Sequence, residues 1–157
     1  LMHQPGASYT YSVGMDVLGC VIERASGIRF DRFLQEKIFT PLNMKDTFFS
    51  IPESKRDRFT SLYANITEFR KYFPDLFESL PQEVNTIRVE SKKKSAYFEE
   101  ATVFDGGSGL VSSTEDYLKF AQMLLNGGKL GDTRILSRKS VELMSGNQLE
   151  SINKLEI

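Results

Sequence analysis

Residues 4–19 read Gln-Pro-Gly-Ala-Ser-Tyr-Thr-Tyr-Ser-Val-Gly-Met-Asp-Val-Leu-Gly, and this stretch is more informative about the fold than any other part of the chain. The Pro5-Gly6 pair predicts a turn, and the aromatic residues after it predict a short strand that ends at Tyr11-Ser12. Apolar residues at helical spacing begin directly afterwards. Tyr11 is therefore expected at a strand-to-helix junction, from which a side chain can be aimed into a cleft.

The first predicted helix runs from about Val13 to Ser26. Ser12 is expected to cap its N-terminus, and Gly27 is expected to end it in the left-handed conformation. One face of this helix carries apolar residues at helical spacing, namely Val13, Val17, Leu18, Val21 and Ile22. Cys20 lies next to this stripe and is expected to be a small buried residue.

The second predicted helix runs from about Phe30 to Phe39 and ends before Pro41. Its inward residues are expected to be Phe30, Phe33, Leu34 and Ile38. Asn43 follows Pro-Leu in a turn that requires a positive φ, which Asn tolerates better than most residues.

Two more helices are predicted near the C-terminal end. Ser113 and Asp116 form a Ser-x-x-acid capping pattern, and the glycines that follow Asn126 end this third helix. Its buried stripe is expected to be Leu118, Ala121, Leu124 and Leu125. A fourth helix is predicted to start after Ser137.

The stretch between residues 54 and 104 is the least regular. It suggests a short strand at about 58–63, a helix from about Phe69 to Leu80 that is broken by Pro74, and an alternating strand at 86–90. These elements together predict a mainly α chain with a few short β-strands.

Four segments resemble, in order, the motifs of the serine β-lactamase, penicillin-binding-protein and family VIII esterase superfamily. Tyr11-Ser12-Val13 is similar to its second motif, which is Tyr-x-Asn, or Tyr-Ser-x in the esterase branch. The others are similar to its helix with a glycine stop, its Pro-Leu-Gly-Met segment and its Gly-Gly-x-Gly-Leu segment: residues 18–27, 38–47 and 106–116. Matched segments and the residues between them cover roughly two thirds of the chain.

The resemblance implies that residues 1–157 form a single partial domain, the middle-to-C-terminal part of a β-lactamase-like catalytic domain. Members of the family add an antiparallel sheet built from both chain ends, so this chain is expected to hold the helical region of that α/β fold. Because the chain opens within a motif, we expect it to be an internal fragment. A helical fragment without its sheet would expose apolar faces, and self-association is therefore expected.

In this family a serine in a Ser-x-x-Lys motif attacks a carbonyl, and the motif-two tyrosine carries the serine proton. Tyr11 matches that catalytic position, with Tyr9 as its rival. On the Tyr-Ser pair alone, a buried aromatic whose hydroxyl bonds a backbone group is the competing interpretation. Val13 replaces the Asn that helps to hold a substrate amide, which favours an esterase-like member over an efficient β-lactamase.

The sequence shows no Ser-x-x-Lys motif at the position where the family has its nucleophilic serine. Two Ser-x-x-Lys strings occur, Ser91–Lys94 and Ser151–Lys154. Both follow Tyr11, whereas the family places its serine motif well before the tyrosine, so we interpret both as chance matches. The third motif, Lys-Thr-Gly or a variant, is also missing. The chain by itself is therefore expected to be inactive.

The resemblance implies that the full-length protein is a serine hydrolase acting through an acyl-enzyme on esters, β-lactams or D-Ala peptides, with no cofactor and no metal. The alternative is a catalytically inactive, penicillin-binding-like protein that binds peptide or cell-wall ligands. His3 has no Cys or His partner for a metal site. Gly106–Gly109 is expected to form a tight turn that packs against the active-site edge rather than a phosphate-binding loop, because the Gly-Lys-Ser/Thr ending is absent.

Net charge, the length of apolar runs and the cysteine content limit the kinds of partner and location expected for the protein. The net charge of −1 gives no electrostatic case for nucleic acid, and the Lys92-Lys93-Lys94 run lies among acidic residues in a predicted solvated loop. No apolar run approaches the ~20 residues that span a bilayer. The single Cys20 excludes an internal disulfide, and periplasmic, secreted and cytoplasmic locations all stay open.

Overall fold

The computed structural model describes residues 3–4, 7–8, 10–81, 83–91 and 93–147. These residues form short helices with a few two-residue to five-residue strands, which confirms the prediction of a mainly α chain. The described residues divide into two compact units, one within residues 1–49 and 102–147 and the other within residues 50–101. No helix among the described residues combines the length and apolarity that crossing a bilayer requires.

Helix α1 spans Gly14–Ser26, close to the predicted bounds. Gly27 ends it with a φ of 69°, as expected, and donates its N–H to the carbonyl of Glu23. The predicted cap is wrong, because the N-cap residue is Val13 and no side chain caps the helix.

The expectation that Cys20 is buried is wrong, and the apolar face of α1 is exposed as well. Most of this apolar stripe is exposed, with Val17 at 58% and Val21 at 54% of their possible exposure. The buried residue of this helix is Gly19, because its missing side chain lets another backbone segment approach. Spacing identified a stripe but not which side of the helix is covered.

Helix α2 spans Phe30–Leu34 and continues as a π-helical turn over Gln35–Phe39, so the predicted extent of 30–39 is confirmed. Thr40 donates its N–H to the carbonyl of Gln35, which closes the wider turn. Asn43 follows with a φ of 55°, as the sequence predicted. The hydrophobic core of this unit is centred on Phe39, Leu42, Met44 and Met123.

Helix α4 spans Thr114–Leu125, and the Ser113 side chain caps it by accepting the N–H of Asp116. Its predicted stripe is partly wrong, since Leu118 is 61% and Leu125 80% exposed. Leu124 packs against the core as predicted, and the rest of the inward face is formed by Asp116, Phe120 and Met123. Asp116 can be buried on this face because its carboxylate accepts hydrogen bonds. The spacing of apolar residues does not reveal such a buried polar residue.

A hairpin follows α4, with β3 at Lys129–Leu130 and β4 at Thr133–Arg134. Helix α5 spans Arg138–Ser145, and the Ser137 side chain accepts the N–H of Ser140, in agreement with the predicted start.

The second unit contains an antiparallel pair, β1 at Leu62–Asn65 and β2 at Thr86–Glu90. The second strand is confirmed, but the first begins later than predicted, because Glu53–Arg58 forms a 3-10 helix. Helix α3 spans Thr67–Tyr72, and Pro74 begins a separate 3-10 turn over Pro74–Phe77, as the sequence indicated. A third 3-10 turn covers Ala96–Phe98.

Candidate active site

Tyr11 lies just before the first turn of α1. The predicted strand is not formed by Thr10 or Tyr11, and Tyr9 lies outside the described residues. The side chain of Tyr11 is 85% exposed. A buried aromatic that caps a backbone group would be covered, so this exposure disfavours the competing interpretation.

The chain before Tyr11 is held by a local contact. One ring nitrogen of His3 lies 3.0 Å from the Thr10 hydroxyl, and the other lies 3.0 Å from the Gln4 carbonyl oxygen. Among the residues that the structure describes, no three His, Cys, Asp or Glu side chains converge as metal ligands would.

A glycine-rich turn packs directly on the first turns of α1. A Cβ added to Gly106 would lie 2.1 Å from the carbonyl oxygen of Met15, and one added to Gly19 would lie 3.3 Å from the nitrogen of Gly106. Only glycine permits such backbone contact at Gly106. The chain bends at Gly106, Gly107 and Ser108, and this glycine-rich turn lies against the helix that follows Tyr11.

Asp16 joins the same contact. Its Oδ1 accepts the N–H of Gly107 at 2.8 Å, a bond between residues 91 apart in the sequence. The sequence analysis missed this residue. An acidic side chain in the first turn of a helix was the available signal, but such residues usually serve the helix dipole alone.

Ser91 and Lys94 do not share a helix face. They face each other across a tight turn in which Lys94 donates its N–H to the Ser91 carbonyl, while the Ser91 Oγ accepts the N–H of Lys93. The Ser-x-x-Lys chemistry needs both side chains on one face of a helix, which this turn does not provide. Ser151 and Lys154 lie outside the described residues.

Asp116 is a buried anchor rather than a member of an acid pair. Its carboxylate accepts the N–H of Asp46 at 2.6 Å, the Thr47 hydroxyl at 3.1 Å and the Lys119 ammonium at 3.0 Å. Burial alone would raise the pKa of Asp116, but these hydrogen bonds favour the charged form and hold that pKa below its ordinary value. The anchor ties α4 to the turn after Met44.

Known proteins resemble this chain over most of its length. The family model described as "Beta-lactamase" matches residues 1–152. Protein Rv1367c of Mycobacterium tuberculosis is 30% identical over 154 residues, which cover 98% of this chain and 34% of that protein. A candidate D-alanyl-D-alanine carboxypeptidase of Salmonella heidelberg is 31% identical over 147 residues, which cover 90% of this chain and 32% of that protein.

Among solved structures, the LovD6 mutant of simvastatin synthase from Aspergillus terreus superposes with a TM-score of 0.73 at 26% identity. The match covers 96% of this chain and 32% of the synthase. The chain thus spans about a third of the length of the proteins that it matches. With one family model matching nearly its whole length, and the motifs around Tyr11 and Gly106 in the expected order, the chain belongs to the beta-lactamase family.

Proposed function

We propose that the full-length protein is a serine hydrolase that acts through an acyl-enzyme, and that Tyr11 carries the proton of the nucleophilic serine. The observation that supports this best is the position of Tyr11, which is exposed and directly precedes α1 in the segment that resembles the family's second motif. Family membership supports the reaction class.

The proposed acylation step has two proton transfers. A phenol near a lysine ammonium can exist as phenolate and accept the serine proton as the serine oxygen attacks the substrate carbonyl. The phenol then returns the proton to the leaving group, and water later releases the acyl group from the serine. Because Ser91 and Lys94 form a turn, we propose that the serine and its lysine come from another part of the full-length protein.

The substrate class follows from Val13. Where the family has an amide side chain that can hold a substrate amide, valine offers no hydrogen bond. We therefore propose carboxylic esters as the preferred substrates, ahead of β-lactams and D-Ala peptides. The carboxypeptidase name of the Salmonella relative keeps D-Ala peptides among the substrates to be tested.

The test is Tyr11→Phe in the full-length protein, with p-nitrophenyl acetate as substrate. The variant keeps the ring but loses the proton carrier, so acylation should fall at least ~10²-fold. Tyr9→Phe tests the rival tyrosine, and Tyr117→Phe removes the hydroxyl of another exposed tyrosine, on α4. Both controls should lose less than ~10-fold.

Equal rates in all three variants would remove Tyr11 from the catalytic role. If the unmodified protein acylates with no ester, β-lactam or D-Ala peptide, the catalytically inactive, ligand-binding alternative is favoured instead.

A further inference from the structure

We propose that Asp16 is a positioning residue that fixes the direction of Tyr11 by holding the first turn of α1 against the glycine-rich turn. This inference rests on the proposed role of Tyr11. It assigns a function to a carboxylate that touches no reacting atom and lies on the helix that follows the tyrosine.

The contact has two parts that reinforce each other. The Asp16 Oδ1 accepts the Gly107 N–H at 2.8 Å, and an ionised acceptor makes such a bond stronger than a neutral one. Beside it, the Gly106 backbone touches the Met15 carbonyl so closely that a Cβ would lie only 2.1 Å away. A side-chain bond and a backbone contact thus hold adjacent residues of the same helical turn.

This turn is the one that aims Tyr11. The first backbone bonds of α1 run from the nitrogens of Asp16 and Val17 to the Val13 carbonyl, at 3.1 and 3.2 Å. Val13 is only two residues beyond Tyr11, and no side chain caps the helix. Since the Tyr11 side chain is 85% exposed, its direction depends on the backbone that emerges from this turn.

Small displacements of a catalytic side chain lower the reaction rate strongly. A misplacement of about 1 Å in a catalytic group can cost on the order of 10²-fold in rate. A contact that serves only the stability of the fold would instead lower the melting temperature and leave the turnover of folded molecules unchanged. The two interpretations therefore differ in kcat at a temperature where every variant is folded.

The experiment uses the full-length protein and p-nitrophenyl acetate, with folding checked by circular dichroism. For Asp16→Ala we expect kcat to fall about 10-fold or more while KM changes less than ~2-fold. Asp16→Asn keeps an oxygen that can accept the Gly107 N–H and should stay within ~3-fold of the unmodified kcat. Glu36→Ala, which removes an exposed acid in the π-helical turn, is the control and should leave kcat unchanged.

A second variant approaches the same bond from the other side. A Cβ at Gly107 would lie 2.9 Å from the Asp16 Oδ1, which can swing away because it ends a side chain. Gly107→Ala should therefore lower kcat in the unmodified protein but cost little more in the Asp16→Ala background. Additive losses would show that the two residues act independently.

The inference is overturned if Asp16→Ala keeps the kcat of the Glu36→Ala control, or if Asp16→Asn loses as much as Asp16→Ala. Should Asp16→Ala fail to fold, an unchanged kcat in Gly107→Ala overturns it equally. Tyr11→Phe is measured in parallel. Full activity in that variant means that the proposed function has failed, whereas loss there with an unaffected Asp16→Ala means that only the positioning role has failed.

Discussion

Replacing the buried Asp116 by alanine is expected to lower the free energy of unfolding by about 3 kcal/mol at neutral pH. The side chain is only 2% exposed and accepts hydrogen bonds from Asp46, Thr47 and Lys119. Thr47 and Lys119 each keep another partner, and the bond from the Asp46 N–H is the shortest of the three at 2.6 Å. A hydrogen bond to a charged group contributes about 1.5–3 kcal/mol, and the lost ion pair with Lys119 adds to that.

The same substitution predicts a pH dependence. The pKa of Asp116 is lower in the folded protein than its ordinary value, because its hydrogen bonds outweigh the effect of burial. The unfolded chain therefore takes up this proton first on acidification, and the stabilisation is present above about pH 4 and is lost as the pH falls through the folded pKa. The difference in stability between the unmodified protein and Asp116→Asn should shrink in that range.

Urea unfolding followed by circular dichroism at pH 7 and pH 3 measures both effects. Asp116→Asn, which keeps one acceptor oxygen, should lose less stability than Asp116→Ala at pH 7. A loss below ~1 kcal/mol for Asp116→Ala, or the same gap between the unmodified protein and Asp116→Asn at both pH values, would refute the assignment of Asp116 as a charged buried anchor.

Three further predictions follow from the packing. Gly106→Ala should destabilise the protein by ~2 kcal/mol or more, because its Cβ would overlap backbone atoms. Gly14→Ala is the control, since nothing lies within 4 Å of its Cβ, and it should change stability by less than ~1 kcal/mol. Thermal melts compare the two variants. Ser91→Ala should leave acylation by the full-length protein within ~2-fold, since its Oγ serves a turn; a larger loss would restore it as a nucleophile. The 157-residue chain should self-associate through the exposed apolar face of α1. Light scattering should show less association when Val17→Lys and Val21→Lys are combined. A monomeric unmodified chain would contradict the expectation.

Most features decided within a few residues were predicted well, although the expected Ser12 cap of α1 is not formed. Gly27 ends α1, Asn43 takes a positive φ, Ser113 caps α4, and α5 starts after Ser137. Each depends on the φ preference of one residue or on a hydrogen bond to a backbone group nearby in the chain. Such preferences can be recognised without knowing what packs on the element.

The buried faces of the helices were predicted poorly, because burial depends on packing partners that are distant in the sequence. Leu118 and Leu125 have helical spacing, yet they are exposed on α4, while Asp116 is buried beside Met123. Cys20 is exposed for the same reason: α1 is covered on the side of Gly19 rather than on its apolar stripe.

The features of the candidate site also divide into those that the sequence determined and those that only the tertiary structure decided. The sequence by itself determined that Tyr11 directly precedes a helix and that the chain carries the ordered motifs of a beta-lactamase family member. Only the tertiary structure decided that Gly106 and Gly107 lie against the turn containing Asp16, because that contact joins segments about ninety residues apart. Local preferences fix where a helix begins, whereas the surface that holds it in place is chosen by backbone approach and hydrogen bonding across the fold.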